Sequence, residues 1–240
     1  MKILDALINL NRGIGILIDP EKTHRPEILG PLLVKLNSLN PDYLLIGGST
    51  CVPEVFIETV KYVKENSPIP VLLFPGSQSQ FSEQADGILF LSLISGRNPE
   101  YLIGQQIAAG RKVYQSGIEV ISTGYILIDG GQETSVQKVT GTLSLSTVDL
   151  GMIEDTAIAA KLMGMQCIYL EAGSGALTPV SNQIIKKIGS LALPIIVGGG
   201  IRNLESLARA HDAGANLVVI GNKIEEDPAF IDQIFQYRNP

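Results

Sequence analysis

Met165-Gln166-Cys167-Ile168-Tyr169-Leu170-Glu171-Ala172-Gly173-Ser174-Gly175 is the stretch from which the fold can be read. A largely apolar run from Met165 to Leu170 ends in a carboxylate and a loop of small residues. That is how a buried strand opens into a site. Ile195-Ile196-Val197 runs likewise into Gly198-Gly199-Gly200, and Leu217-Val218-Val219-Ile220 into Gly221-Asn222. Three consecutive strand ends that finish in glycine point to one shared ligand.

Working outward, the same pattern recurs along the chain. Apolar runs predict strands at Ile14–Ile18, Tyr43–Ile46, Val71–Phe74, Gly87–Leu91 and Glu119–Ile128, besides the three already quoted, the last of which begins at Asn216. Between them lie segments with apolar residues at helical spacing, such as Ile28, Leu29, Leu32, Leu33 and Leu36. A short first helix is expected at about Asp5 to Asn11. Pro26 and Pro53 suit first helical turns, Asn203 suits a cap, and Gly214 suits a stop. Gly124, inside the longest strand, predicts a bend or a close approach to the backbone. Val139-Thr140-Gly141 reads as irregular.

Eight strands alternating with about eight helices imply a parallel sheet with helices outside. In 240 residues this is an α/β fold, a single (β/α)8 TIM barrel domain over residues 1–240. Apolar content of 45% supplies one large core. The charged fraction of 18% is below the usual level and favours a sheet buried on both faces.

The bulk properties exclude some partners. Net charge is −6 and Lys and Arg do not cluster, which argues against nucleic acid and against electrostatic docking on anionic lipid. The N-terminal segment carries Asp5, Asn9, Asn11 and Arg12, so it does not form a secretory signal. No apolar run approaches the roughly 18 residues of an integral membrane segment. Cys51 and Cys167 lack metal or redox spacing and read as free thiols of a cytoplasmic protein.

Function in such a barrel sits at the C-terminal strand ends. There the sequence places Asp19, Ser49, Gly76, Ser95, Asp129, Glu171, Gly199, Gly200 and Asn222. A barrel phosphate site uses the loops after strands seven and eight and a short helix, with backbone N–H groups that a Cβ would obstruct. Gly198-Gly199-Gly200 and Gly221-Asn222 stand in those loops, and Asn222-Lys223-Ile224-Glu225 suits the short helix. Ser174 and Gly175 add donors. Ordinary tight turns are the plainer reading of these glycines.

Glu171 follows a buried run beside the proposed phosphate, where a carboxylate is costly without a role. It can act as general base toward a hydroxyl, or pair with Arg202. Asp19 and Ser49, on adjacent strands, offer oxygens to Mg2+, which fills its shell with water and substrate phosphates. Asp19 also suits a helix cap before Pro20. A metal at one pole and a base at the other suggest transfer to a hydroxyl of a phosphomonoester, with a metal-bound diphosphate leaving. Tyr101, Tyr125, Ile94, Ile126 and Tyr169 are candidates for an apolar wall, or simply core.

These residues together resemble the geranylgeranylglyceryl phosphate synthase family and its heptaprenylglyceryl phosphate synthase relatives. The resemblance rests on Leu17-Ile18-Asp19-Pro20-Glu21-Lys22, Ile46-Gly47-Gly48-Ser49, Phe74-Pro75-Gly76-Ser77 and Leu91 to Pro99. Thr123-Gly124-Tyr125, Tyr169 to Gly175, Gly198 to Arg202 and Gly221-Asn222 complete it. It implies a Mg2+-dependent prenyltransferase that joins the 3-hydroxyl of sn-glycerol 1-phosphate to a prenyl diphosphate as an ether. Carried over, Asp19 and Ser49 are the Mg2+ ligands and Glu171 the base. Tyr169, Leu170, Glu171, Ala172, Gly173, Ser174, Gly175, Gly199, Gly200, Gly221 and Asn222 form the glycerol phosphate site, and Tyr101 and Tyr125 line the prenyl groove.

Leu17 stands where the heptaprenyl enzymes have lysine, which favours a geranylgeranyl donor over a heptaprenyl one. The resemblance also implies a homo-oligomer, and leaves peripheral membrane contact open as a route for the lipid product to leave. The competing reading from the residues is a barrel phosphosugar isomerase or lyase, with Asp19, Asp129 and Glu171 as acid and base groups. A phosphate-ligand sensor without turnover is a third.

Overall fold

The computed structural model describes residues 2–238; Met1, Asn239 and Pro240, the ends of the expected 1–240 domain, lie outside them. Eight parallel strands close into a barrel in sequence order. They are β1 (Gly13–Ile18), β2 (Tyr43–Ile46), β3 (Val71–Leu73), β4 (Gly87–Leu93), β5 (Glu119–Leu127), β6 (Cys167–Glu171), β7 (Ile195–Gly198) and β8 (Leu217–Ile220). β8 pairs back onto β1 in parallel, with Gly15 opposite Val219. The barrel of the sequence reading is therefore the barrel observed.

The helices are α1 (Ile3–Asn9), α2 (Pro20–Thr23), α3 (Pro26–Leu39), α4 (Pro53–Asn66), α5 (Gln105–Ser116), α6 (Ser135–Thr140), α7 (Leu150–Leu162), α8 (Asn182–Gly189), α9 (Leu204–Asp212), α10 (Asn222–Glu226) and α11 (Phe230–Arg238). A π-helical turn, Glu100–Gly104, leads into α5. Two expectations fail. Residues 74–86, between β3 and β4, form turns rather than a helix, so the alternation is not strict. The Val139–Gly141 region is not irregular, because α6 runs to Thr140 and Gly141 ends it at φ 62°. A capping box, Thr134 with Gln137, starts that helix.

The period-two alternation of strand side chains sorts the core into two compartments. Tyr43, Leu45, Leu72, Leu89, Ile121, Cys167, Tyr169, Ile196 and Leu217 fill the barrel. Ile14, Ile16, Leu44, Ile46, Ile126, Ile168, Leu170, Val197 and Val218 face the helices instead. Gly124 belongs to the outer face: a Cβ there would stand 2.9 Å from Ala160 Cβ and 3.0 Å from Met165 Sδ. The close approach is thus between β5 and α7, not a ligand.

The base of the barrel is closed by α1. Leu7 enters the inner cluster fully buried. The first N–H groups of a helix need acceptors from outside it, and Glu119 supplies both carboxylate oxygens to Ile3 N (2.6 Å) and Leu4 N (2.9 Å). Leu7→Ala leaves a void in a sealed compartment. It is expected to cost about 2–5 kcal/mol, measured as a lower urea midpoint with the slope unchanged.

Candidate active site

All eight strands deliver their C-terminal ends to one mouth, and a cavity of about 510 Å³ opens there. That lies within the range of small-molecule sites. Asp19, Ser49, Tyr101, Tyr125, Tyr169, Glu171, Gly173, Ser174, Gly175, Gly199, Gly200, Gly221 and Asn222 all line it. Leu170 and Ala172 do not: both side chains are fully buried in the outer cluster. Adjacent strand residues point to opposite faces, so the carboxylate of Glu171 and the side chain of Leu170 cannot share the mouth. Ile94 and Ile126 also pack outward, and are not part of an apolar wall in the cavity. Ser95 and Asp129 lie off the cavity wall. Ser95 Oγ accepts from Leu127 N at 3.0 Å, and Asp129 Oδ1 from Gly131 N at 2.9 Å.

One pole of the cavity surrounds Glu171, which is 7% exposed. Its Oε1 accepts from Gly173 N at 2.6 Å, and the Tyr169 hydroxyl donates to the carboxylate. Burial raises its pKa from 4.5 to about 7, against the lowering effect of those two donors. Arg202 does not neutralise it; the guanidinium pairs with Glu226 at 3.0 Å. Burial also raises Tyr169 and Tyr125 well above the usual tyrosine range, and the charge on Glu171 adds to both shifts. The hydroxyls are therefore donors, not anions.

The glycines are required by space as well as by backbone shape. A Cβ on Gly198 would stand 2.7 Å from Glu171 Oε2. Gly173, Gly175, Gly199 and Gly200 have φ of 100°, 81°, 82° and 70°, conformations that disfavour a Cβ. Ser174 Oγ donates to Asn222 Oδ1 at 3.0 Å, joining the loop after β6 to the start of α10.

The other pole surrounds Asp19. Its Oδ1 accepts from Glu21 N at 3.1 Å, so the capping role is real. Its Oδ2 lies 3.5 Å from Lys22 Nζ, and Lys22 also meets Glu225 at 2.8 Å. A Cβ on Gly48 would stand 2.8 Å from Asp19 Oδ1, so glycine lets the loop after β2 close over the carboxylate. Gln80, not anticipated from sequence, fixes that loop. It is 1% exposed, donates to Gly48 O at 2.8 Å and accepts from Gly76 N at 2.9 Å. Among the described residues no three His, Cys, Asp or Glu side chains converge. Asp19 and Ser49 provide hard oxygen donors only, which suits Mg2+ completed by water and phosphate oxygens.

A third feature is apolar. From the mouth the cavity extends along Phe81, Ile88, Phe90, Tyr101, Ala109 and Val113. Ile88, Phe81 and Val113 belong to the outer cluster, so this groove leaves the barrel between β4 and α5. Val136 and Val139 of α6 also line the cavity. Tyr101 Oη donates to Val139 O at 3.2 Å and Asn98 Nδ2 to Thr140 O at 2.9 Å, holding α6 in place.

Comparison with known proteins agrees with this geometry. The model of the PcrB family matches residues 11–238. A geranylgeranylglyceryl phosphate synthase of Zunongwangia profunda is 45% identical over 229 residues, 93% of this chain and 97% of that one. Wild-type GGGPS from Thermoplasma volcanium superposes with a TM-score of 0.91 at 32% identity, covering 100% of this chain and 97% of that one. The crystal structure of (S)-3-O-geranylgeranylglyceryl phosphate synthase from Thermoplasma acidophilum, in complex with substrate sn-glycerol-1-phosphate, gives 0.90 at 28% identity, covering 98% and 96%.

The raised pKa of Glu171 makes a stability prediction. In the folded chain the carboxyl holds its proton up to about pH 7, in the unfolded chain only to 4.5. Its contribution is therefore fully present below pH 4.5 and is lost as pH rises through 7. A shift of that size corresponds to roughly 3 kcal/mol. Glu171→Gln is expected to raise the melting temperature at pH 8, with the gain vanishing below pH 5, in paired thermal melts.

Proposed function

The chain belongs to the PcrB family, and on that premise we propose that it is a prenyltransferase. It forms an ether between the 3-hydroxyl of sn-glycerol 1-phosphate and geranylgeranyl diphosphate and releases diphosphate. The observation that carries this reading is the union, in one cavity, of a buried carboxylate with a raised pKa, an oxygen-donor pole and an apolar groove. A phosphosugar enzyme has no use for the groove. The isomerase or lyase reading also loses Asp129, which is off the cavity wall. For a sensor without turnover, a buried carboxylate with a pKa near neutrality would be a cost without a purpose.

The roles follow from position. Glycerol phosphate lies against Gly199, Gly200, Gly221, Asn222, Ser174 and Gly175, where backbone N–H groups meet the phosphate. Its 3-hydroxyl then faces Glu171, whose carboxylate takes the proton as the ether forms. Tyr169 orients that carboxylate through its hydroxyl. Asp19 and Ser49 would hold Mg2+ at the opposite pole, where the ion would supply positive charge to a diphosphate leaving group. The prenyl tail runs into the groove past Tyr101 and Tyr125, with α6 excluding water. Leu17 lines the mouth as an uncharged side chain, which favours the geranylgeranyl donor over the heptaprenyl one. No helix among the described residues is long and apolar enough to cross a membrane. The enzyme acts in the cytoplasm as a homo-oligomer.

Purified protein with Mg2+ and sn-glycerol 1-phosphate is expected to form a lipid ether from prenyl diphosphates of graded length, most efficiently from the geranylgeranyl donor. Absence of product with every donor refutes the reading. Glu171→Ala should lower turnover by about 10²–10⁴. In the wild type, kcat/KM should rise with pH to a plateau above about 7, because the base must be ionised. Asp19→Ala should raise the Mg2+ concentration needed for half-maximal rate; an unchanged requirement rejects that ligand.

A further inference from the structure

The two poles define where a bond must form, and the side chains beneath that place are unusual in one respect. The inner surface of the mouth carries Leu17 from β1, Tyr125 from β5, Tyr169 from β6, Val219 from β8, and Phe74 just beyond β3. Two are aliphatic and three aromatic. Phe74 and Tyr169 reach across the barrel and stack, with centroids 4.9 Å apart and planes at 14°. Tyr125 is tilted against both, 6.0 Å from Phe74 and 5.4 Å from Tyr169. Tyr169 is 1% exposed and its hydroxyl is committed to Glu171. Phe74 is less buried. It follows directly on the strand that flanks the Asp19 pole, and Gly47 of that pole is a glycine because the Phe74 carbonyl leaves no room for a Cβ. The stack therefore bridges the two poles.

The proposed reaction places a demand there. As the C1–O bond of an allylic diphosphate breaks, the electron pair leaves with the diphosphate and positive charge spreads over C1 and C3. The 3-hydroxyl oxygen then bonds to C1 and its proton passes to Glu171. A carboxylate beside C1 would capture the cation, and Glu171 is already committed to the hydroxyl. A neutral aromatic face attracts a cation without forming a bond to it. Resting on the function proposed above, we infer that Phe74, with Tyr125 beside it, is a catalytic residue whose ring stabilises the allylic carbocation at C1 of the prenyl donor. The occupant follows from the chemistry: a delocalised carbocation beside side chains that carry no charge.

The test compares Phe74→Leu and Phe74→Tyr, together with p-fluoro- and trifluorophenylalanine placed at position 74. The Leu variant keeps apolar bulk and loses the ring quadrupole. It is expected to lower kcat about tenfold, within the range cation–π energies allow, with KM for both substrates within about twofold. The Tyr variant should restore most of kcat. Along the fluorinated series, which preserves shape and steadily weakens the negative face, log kcat should fall with each added fluorine. That series decides the matter even if the Leu variant fails to fold. Fluorinated variants with wild-type kcat, or a loss confined to KM, overturn the role of Phe74. Wild-type protein that forms no ether with any donor overturns the proposed function instead.

Discussion

A carboxylate buried at the end of β6 is the constraint on which the rest of the mouth depends. Removing Glu171 from water opposes its ionisation, and two donors, Gly173 N–H and the Tyr169 hydroxyl, only partly offset that cost. The carboxyl therefore titrates near neutrality. Holding it there demands space on the neighbouring strand. Gly198, paired with Glu171 across β6 and β7, can carry no side chain because a Cβ would press on Glu171 Oε2 and on the Tyr169 hydroxyl. Gly173 N–H meets the carboxylate two residues earlier, and the positive φ of Gly173 then turns the chain that follows. The glycines have two effects at once: they make room for the buried carboxylate, and they leave the backbone of these loops open to the cavity.

Separation of charge across the mouth follows from the same packing. Cationic side chains near the cavity are engaged by acids: Lys22 with Glu225 and Asp19, Arg202 with Glu226, Lys223 with Asp227. None of them reaches Glu171, so nothing lowers its pKa by charge pairing. Between the poles lie Leu17, Phe74, Tyr125 and Val219, and this uncharged interval separates Glu171 from the oxygen-donor pole. A cation between those poles, such as a lysine in place of Leu17, would favour the ionised form of Glu171 and make it a weaker base.

Much of this was legible from residues close in sequence. Strand ends, glycine clusters and the parallel barrel follow from local periodicity, and so does the pairing of Asp19 with Pro20. The face of each strand residue was legible too: the alternation sends the side chains of Leu170 and Ala172 outward, so only their main chain faces the mouth. The capping box of Thr134 and Gln137 stood in the sequence as a helix start. What could not be read depends on contacts far apart in the chain. Glu119 meets the N-terminus of α1 across 115 and 116 residues. Gln80 reaches back about 30 residues to hold the loop after β2. Such side chains show no periodic or motif signal, because their partners are set only once the barrel closes.

The least regular part of the fold explains how the cavity at the barrel mouth continues into an apolar groove. A helix after every strand would seal the barrel wall, leaving only the mouth. Here residues 74–86 make turns instead. Phe74 begins that segment inside the barrel, and Phe81 lies further along it, in the outer cluster between strands and helices. The segment thus runs from the inner compartment to the outer one, and the apolar groove runs beside it, past Ile88 and Phe90 toward Val113. Gln80, within the same segment, anchors it to the loop of the Asp19 pole. Omitting one helix opens a path from the barrel mouth to the space between layers, and the buried glutamine ties that segment to the loop beside it.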